Sequence, residues 1–325
     1  MTNDANLKHA LSLLLAGEID PGLARYRIAL RGDGPSEVPV GSHILFLEQS
    51  GRAEAAAALA SLAVRRGADV ALHALALGAD PARAAADYEA LFARGVANSR
   101  MVTSYAVALS RLGRTAETEA LLAPDRLLRR VRIAAPEPGS VRSLLLESES
   151  RARFQAATQS VRGMRKLERF HSLDDPAAMA LIAALQAESY RYLSDWAASA
   201  HPLAPLVPRT ARLRAWGLIS RGEGFNAPHI HHKGWATGVY YPAGPEGGGE
   251  GGALRIGPPP ALGEQAPGWP DVTIRPEPGL LVLIPSFYTH WTIPLGRPGL
   301  RLSIAFDLIS TARRRRRIDE GARLR

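Results

Sequence analysis

The sequence contains no cysteine and very little lysine. The absence of cysteine among the 325 residues excludes a disulfide framework and a thiolate metal site. Lysine occurs only at positions 8, 166 and 233, so arginine provides 37 of the 40 basic residues (40 − 3). The apolar run near the N-terminus is too short to span a membrane and has no basic segment before it, as a signal peptide would. These absences predict a cytoplasmic protein with neither a disulfide nor a membrane anchor.

The formal net charge of +9 raises the question of a nucleic-acid partner. The densest basic run, Arg313 to Arg317, lies in the C-terminal tail, and the other arginines are scattered through the chain. No nucleic-acid-binding motif accompanies them. We therefore expect residues 312–325 to form a solvated basic tail rather than a nucleic-acid contact.

The first 130 residues are rich in Ala, Leu and Arg, with apolar residues at the i, i+3, i+4 spacing that predicts helices. Three segments read as a helix, a Gly turn and a second helix: 13–30, 46–63 and 108–125. Gly17 and Gly51 are 34 residues apart (51 − 17), and Gly51 and Gly113 are 62 apart (113 − 51). Region 1–130 therefore resembles a short tetratricopeptide-type array, with a generic helical bundle as the alternative. Its groove predicts a peptide or protein partner.

The second part of the chain predicts strands. The runs 236–241, 280–284 and 300–308 are β-rich or continuously apolar, and 212–220 alternates like a core strand. Between the first two runs, Ala243 to Pro270 is rich in Gly and Pro, so we predict a loop without any packed element. Asp174-Asp175-Pro176 predicts the start of a long helix over 173–196.

Three histidines have the spacing of a metal site. His229 and His231, at i and i+2 of an extended segment, point to the same side. His290 follows 59 residues after His231 (290 − 231), just past a predicted strand. Across a small barrel the three could form a facial site with open coordination positions, as in non-haem Fe(II) oxygenases. His232 is an alternative ligand, although alternation turns it away from His229.

An arginine and a serine follow these histidines on the last predicted strand. Alternation in 300–308 places Arg301, Ser303 and Asp307 on one face. An inward-facing arginine is costly unless an anion neutralises it. A carboxylate of a dicarboxylate co-substrate, held by Arg301 with Ser303 beside it, would do so. The alternative is an ion pair between Arg301 and Asp307.

The segments PHIH, GVYYP, GLLVLIPSFYTHWTIPL and RLSIAFDL together resemble the Fe(II)/2-oxoglutarate-dependent oxygenases. The resemblance covers residues 135–311 approximately and is densest from Ala215 to Leu308. It implies a double-stranded β-helix, a jelly-roll barrel, for residues 131–311. The fold class would then be α+β, with the helical region 1–130 preceding the barrel. It also implies Fe(II) as cofactor, 2-oxoglutarate and O2 as co-substrates, and hydroxylation of a C–H bond with release of succinate and CO2.

Position 231 departs from the H-x-D/E pattern of this superfamily. Either His231 replaces the carboxylate in a three-histidine site, or the site has two histidines and is completed by water. Two other functions stay open. A three-histidine cupin-type dioxygenase would need no oxo-acid, and Arg301 would then hold a substrate carboxylate. Alternatively, the barrel is inactive and the chain is a helical-repeat adaptor.

The substrate pocket is predicted from residues near the histidines. The alternative for each of these residues is plain packing in the core. Tyr240 and Tyr241 are adjacent and face opposite sides, and alternation alone does not tell which one lines the pocket. The residues that we predict to line it are Asn226, Trp235, Tyr240 and Trp291.

Overall fold

The computed structural model describes residues 3–29, 43–44, 47, 52–63, 80–157, 160–245, 249–263 and 266–311. The predicted basic tail and the predicted turn at Gly51 lie outside these residues. The described α-helices are α1 (Asn3–Ala16), α2 (Ile19–Ala29), α3 (Ala53–Ala63), α4 (Pro81–Ala93), α5 (Ser99–Arg111), α6 (Thr115–Leu122), α7 (Pro124–Leu127), α8 (Pro138–Glu147) and α9 (Pro176–Ala197). The described strands are β1 (Arg129–Arg132), β2 (Arg153–Ala157), β3 (Val161–Leu167), β4 (Ala211–Asn226), β5 (Ala236–Tyr241), β6 (Leu254–Ile256), β7 (Val272–Ile274), β8 (Leu280–Pro285), β9 (His290–Thr292) and β10 (Leu300–Ser310).

The N-terminal part is helical, as predicted. Gly17, with φ of +89°, joins α1 to α2, and Gly113, with φ of +70°, joins α5 to α6. Both glycines occupy the left-handed region that other residues avoid. Side chains of α1, α2 and α3 share a small apolar cluster, whereas α5 and α6 contribute to the same core as the β-sheet. The tetratricopeptide repeat itself stays a prediction.

The described strands form a seven-stranded sheet in the order β1-β8-β5-β10-β4-β3-β2 and a three-stranded sheet in the order β7-β6-β9. Strand β6 lies inside the segment 243–270, for which we predicted no packed element, and that prediction was wrong. Leu254–Ile256 pairs with both β7 and β9. Three residues between glycines and prolines are too few to show an alternating pattern, so composition alone predicted a loop.

Strand β10 lies near the middle of the large sheet and pairs with β4 on one side and β5 on the other. Phe306 of β10 is opposite Gly238 of β5, and any Cβ at position 238 would overlap the Phe306 ring. Leu302, Ile304 and Phe306 belong to the main hydrophobic core. The opposite face of β10 is therefore the one available for a site. The chain has a mixed α/β fold with a β-sheet core.

The long helix α9 begins where the sequence predicts. The Asp175 side chain accepts hydrogen bonds from the backbone N–H groups of Ala177 and Ala178, which satisfies two otherwise unpaired donors at the helix start. Leu181 and Leu185 on the buried face of α9 join the core of the large sheet. None of the described helices combines the length and apolar character needed to cross a membrane.

Candidate metal centre and co-substrate pocket

A cavity of about 380 Å³ is lined by residues of both sheets. It receives side chains from β4, β5, β8 and β10 of the large sheet and from β6 and β9 of the small one. This volume lies within the usual range for small-molecule sites. The structure brings together here most of the residues predicted to form the site: His229, His231, His290, Arg301, Ser303, Asn226 and Trp291.

The three histidines converge within this cavity. His229 and His290 face each other in a β-bridge and exchange two backbone hydrogen bonds of 3.1 and 3.0 Å. The Nε2 atoms of His229 and His231 are 3.1 Å apart, and one ring nitrogen from each histidine lies within 4.8 Å of the others. Two nitrogens at about 2.1 Å from one octahedral ion, at right angles, lie about 3.0 Å apart. The geometry therefore fits a metal ion.

The other ring nitrogen of each histidine faces a hydrogen-bond acceptor. Nδ1 of His229 and Nδ1 of His290 lie 2.8 and 2.9 Å from backbone carbonyl oxygens. Nδ1 of His231 lies 2.5 Å from Oδ1 of Asp307. We infer from these acceptors that Nδ1 carries the proton in the neutral ring, which leaves the lone pair on Nε2. Three converging lone pairs repel one another unless a cation lies between them.

The cavity keeps two of these histidines neutral. Burial, followed by repulsion from His290 and His231, lowers the pKa of His229 well below its usual value. Burial, followed by repulsion from His231, lowers the pKa of His290 to about 3. At neutral pH both rings are therefore neutral, which is the form of histidine that binds a metal ion.

Asp307 accepts hydrogen bonds from His231 and from the Thr237 hydroxyl, the latter at 3.2 Å. Burial raises the pKa of Asp307, but electrostatic attraction to the His231 ring and these two hydrogen bonds outweigh it and lower the pKa overall. The carboxylate is therefore ionised at neutral pH. Alternation in 300–308 predicted its position on the cavity face, but its partner is His231 and not Arg301.

Trp216 and Lys166 line the same cavity and were not predicted to do so. The Trp216 ring stacks on the His231 ring, with centroids 5.9 Å apart and planes 13° apart. Nζ of Lys166 lies 4.9 Å from the centre of the Trp216 ring and pairs with Glu168 at 2.9 Å. The signal that could have found Trp216 is its register, because it is paired with the cavity-facing Ala305 of β10.

Arg301 is a buried cation, with 3% of its surface exposed. Its Nε donates to the Gly252 carbonyl at 2.8 Å, and Nη1 lies 3.4 Å from the Ser303 hydroxyl. The guanidinium carbon is 5.6 Å from the centre of the Tyr241 ring. Burial lowers the pKa of Arg301, while Tyr241 acts against this shift. No carboxylate of the described residues pairs with Arg301, so the pocket has a place for an anion.

Two residues predicted to line the pocket lie elsewhere. Tyr240 is paired with Ile304, whose side chain is in the core, so Tyr240 is buried there while Tyr241 lines the cavity. Trp235 is 8% exposed and packs against Trp196, with ring centroids 5.7 Å apart. Alternation fixes only that neighbours in a strand face opposite sides, and the register with β10 decides which one faces the cavity. His232 lies outside the histidine cluster.

Part of this chain is similar to one known protein family. Residues 214–307 match the model of the family described as "Putative 2OG-Fe(II) oxygenase". The matched segment contains the three clustered histidines, Arg301, Ser303 and Asp307. A search of curated proteins gave no match.

Several solved structures are similar at low sequence identity. A prolyl-4-hydroxylase from Pseudomonas putida is 15% identical with a TM-score of 0.42, over 59% of this chain and 98% of that one. The α-ketoglutarate-dependent epimerase SnoN of nogalamycin biosynthesis is 15% identical with a TM-score of 0.43, over 60% and 83%. A prolyl hydroxylase from Trichoplax adhaerens, in complex with a peptide fragment of hypoxia inducible factor, is 14% identical with a TM-score of 0.41, over 62% and 92%.

Proposed function

We propose that this enzyme, an oxygenase that uses iron(II) and 2-oxoglutarate, hydroxylates an unactivated C–H bond of its substrate. The observation that carries the proposal is the presence, in one cavity, of three histidine ring nitrogens within 4.8 Å of one another and a buried arginine without an acidic partner among the described residues. Iron(II), 2-oxoglutarate and O2 together supply the oxidising chemistry, with succinate and CO2 as co-products. The chain binds and orients these reactants.

His229, His231 and His290 would hold the iron. Each ring is fixed through Nδ1, so each Nε2 points into the cavity without a change of rotamer. Three protein ligands leave coordination positions for the co-substrate and for O2. The 3.1 Å separation of the Nε2 atoms of His229 and His231 supports a three-histidine site over a two-histidine site completed by water.

Asp307 would supply the negative charge that a carboxylate ligand provides in the H-x-D/E pattern. Its hydrogen bond to Nδ1 of His231 fixes the tautomer of that ring and increases the electron density on the ligand nitrogen. The Trp216 ring stacks on one face of the His231 ring. A carboxylate would thus act on the metal through the imidazole rather than by direct coordination.

Arg301 and Ser303 would bind the distal carboxylate of 2-oxoglutarate. The Gly252 carbonyl holds Nε of Arg301, which leaves the two terminal nitrogens for a planar, two-point contact with a carboxylate. Gly252 has φ of +82°, and a Cβ there would lie 2.9 Å from Pro245, so glycine is needed to place this carbonyl. The anion would neutralise a buried charge that has no acidic partner among the described residues.

The C–H bond to be oxidised would lie in this cavity, whose lining includes Asn226, Trp216 and Trp291. We further propose a peptide or protein as the substrate, presented by the N-terminal helical region 1–130 to the oxygenase domain 131–311. The repeated helix, Gly turn, helix pattern supports this organisation, because such arrays commonly hold extended chains.

Anaerobic addition of Fe(II) and then 2-oxoglutarate tests the proposal. We expect a weak visible charge-transfer band that needs both additions, and succinate release after O2 is admitted. Metal binding without any effect of 2-oxoglutarate would instead indicate a cupin-type dioxygenase. Failure to bind metal would indicate a helical-repeat adaptor.

A further inference from the structure

A second cavity, of about 670 Å³, adjoins the metal cavity. The two share His232 and Lys233, which line both. Its walls are the first turn of α5, the beginning of β4 and the end of β10. Among the described residues, its charged lining is entirely basic, and we call it the basic cleft: Arg100, Arg212, Arg214 and Lys233.

Three of these cations have no acidic partner among the described residues. Arg212 and Arg214 are two residues apart in β4, so they point to the same side, and both are exposed. Within the described part of the chain, no carboxylate forms an ion pair with either arginine or with Lys233. By contrast, Arg221 on the same strand bonds both oxygens of Glu149, at 2.9 and 2.7 Å. Unpaired cations in a concave surface concentrate positive potential.

We propose that the basic cleft binds acidic side chains of a peptide substrate, next to the residue that is oxidised. This inference rests on the proposed hydroxylase function. The planar arginine groups match carboxylates, and Leu206 and Pro208 give the cleft an apolar wall for the peptide backbone and stems. Because His232 and Lys233 line both cavities, an extended chain can lie in the cleft and reach the metal site.

A single-stranded nucleic acid fits this cleft less well. Such ligands are held by stacking of bases on exposed aromatic rings. Two aromatic rings line the described part of the cleft. Trp235 is buried against Trp196, so the exposed ring is the single imidazole of His232. The cleft therefore offers charge and hydrogen-bond donors but only one small ring for stacking.

Fluorescence anisotropy with a labelled peptide of ten glutamates tests the inference on protein loaded with Ni(II) and 2-oxoglutarate. The cleft variant is Arg212→Glu/Arg214→Glu. The control is Arg130→Glu/Arg153→Glu, which changes the net charge equally on exposed residues of the edge strands β1 and β2. We expect the cleft variant to weaken binding about tenfold or more, the loss of one charge-assisted contact. The control should bind within about twofold of the unaltered chain, because exposed charges elsewhere are screened.

Further measurements separate the competing explanations. Equal losses in the cleft and control variants would overturn the inference in favour of general charge attraction. A loss confined to a variant with Arg313, Arg314 and Arg315 changed to serine would assign binding to the tail. If the unaltered chain bound a ten-nucleotide oligothymidine more tightly than decaglutamate, and the cleft variant lost this binding, the ligand would be a nucleic acid. The unaltered chain could fail to bind decaglutamate and still show the charge-transfer band with Fe(II) and 2-oxoglutarate. That result would reject the cleft inference but not the proposed function.

Discussion

Oδ1 of Asp307 lies 2.5 Å from Nδ1 of His231, although 76 residues separate them in the chain. The hydrogen bond places a partly buried carboxylate beside a histidine that we propose as a metal ligand. Three neutral ligands would leave Fe(II) with its full charge of +2 in a buried site, which is unfavourable without an anion nearby. Asp307 would lower that cost, and Thr237 holds the carboxylate through a second hydrogen bond.

Replacing Asp307 by asparagine should weaken metal binding about tenfold to a hundredfold, the usual effect of losing a partner of a ligand histidine. Asparagine keeps the size and one hydrogen-bond acceptor but removes the charge. Titration calorimetry with Co(II) or Ni(II) measures the dissociation constant. Affinity equal to that of the unaltered chain would show that the charge of Asp307 has no part in metal binding.

The double variant His231→Asp/Asp307→Asn separates the charge of Asp307 from its structural role. It moves the carboxylate from the partner position to the ligand position and keeps the total charge of the site. We expect it to bind Co(II) more tightly than Asp307→Asn alone. If Asp307 only supported the fold, the double variant would bind no better than the single one.

The effect of substituting a histidine on metal binding should depend on whether that histidine belongs to the cluster. His229→Ala or His290→Ala should abolish Fe(II) binding, whereas His232→Ala, one residue from the cluster, should leave it nearly intact. His231→Gly distinguishes the two forms of the site, because full affinity and turnover in that variant would favour two histidines completed by water. Metal content per chain, measured after gel filtration, provides the test. An essential His232 with a dispensable His229 would contradict the assignment.

Local patterns predicted much of this fold. The strand at 236–241 and the start of α9 at Asp175 were predicted because alternation and helix capping are encoded within a few neighbouring residues. The clustering of His229, His231 and His290 was likewise expected from i, i+2 spacing and a following strand. Their role as ligands stays a prediction.

Long-range pairing determined the features that the sequence did not reveal. The choice of Tyr241 over Tyr240 for the cavity depends on the register of β5 with β10. The contact of Asp307 with His231 and the strand β6 likewise depend on residues far away in the chain. The domain boundary at residue 130 stays a prediction, since α5 and α6 share their core with the sheet.

Replacing Arg301 by alanine should raise the dissociation constant for 2-oxoglutarate about tenfold to a hundredfold or more. A charge-assisted contact to a carboxylate contributes about 1.5–3 kcal/mol. Arg301→Lys should recover only part of the affinity, because an ammonium group cannot make the planar two-point contact. Anaerobic titration measures both constants, and Fe(II) affinity serves as the control because it should hardly change. Unaltered 2-oxoglutarate affinity in Arg301→Ala would favour the cupin-type alternative.

The metal-free protein should lose stability as the pH falls below about 6.5, the ordinary pKa of histidine. Burial lowers the pKa of His229 and lowers that of His290 to about 3. Between pH 6.5 and the lowered pKa of each ring, the unfolded chain therefore binds protons that the folded chain does not. Each such histidine lowers the free energy of unfolding by about 1.4 kcal/mol per pH unit in that window. Urea unfolding at pH 7.5, 6.5 and 5.5 measures this slope.

His290→Gln provides the matched comparison for this pH dependence. Glutamine does not titrate. The free energy of unfolding of the variant should therefore depend less steeply on pH between 6.5 and 5.5, by about the contribution of one bound proton. Its pH dependence above pH 7 should change little. A slope identical to that of the unaltered chain would mean that His290 titrates normally in the folded protein. It would then not be the buried neutral ring that the metal site requires.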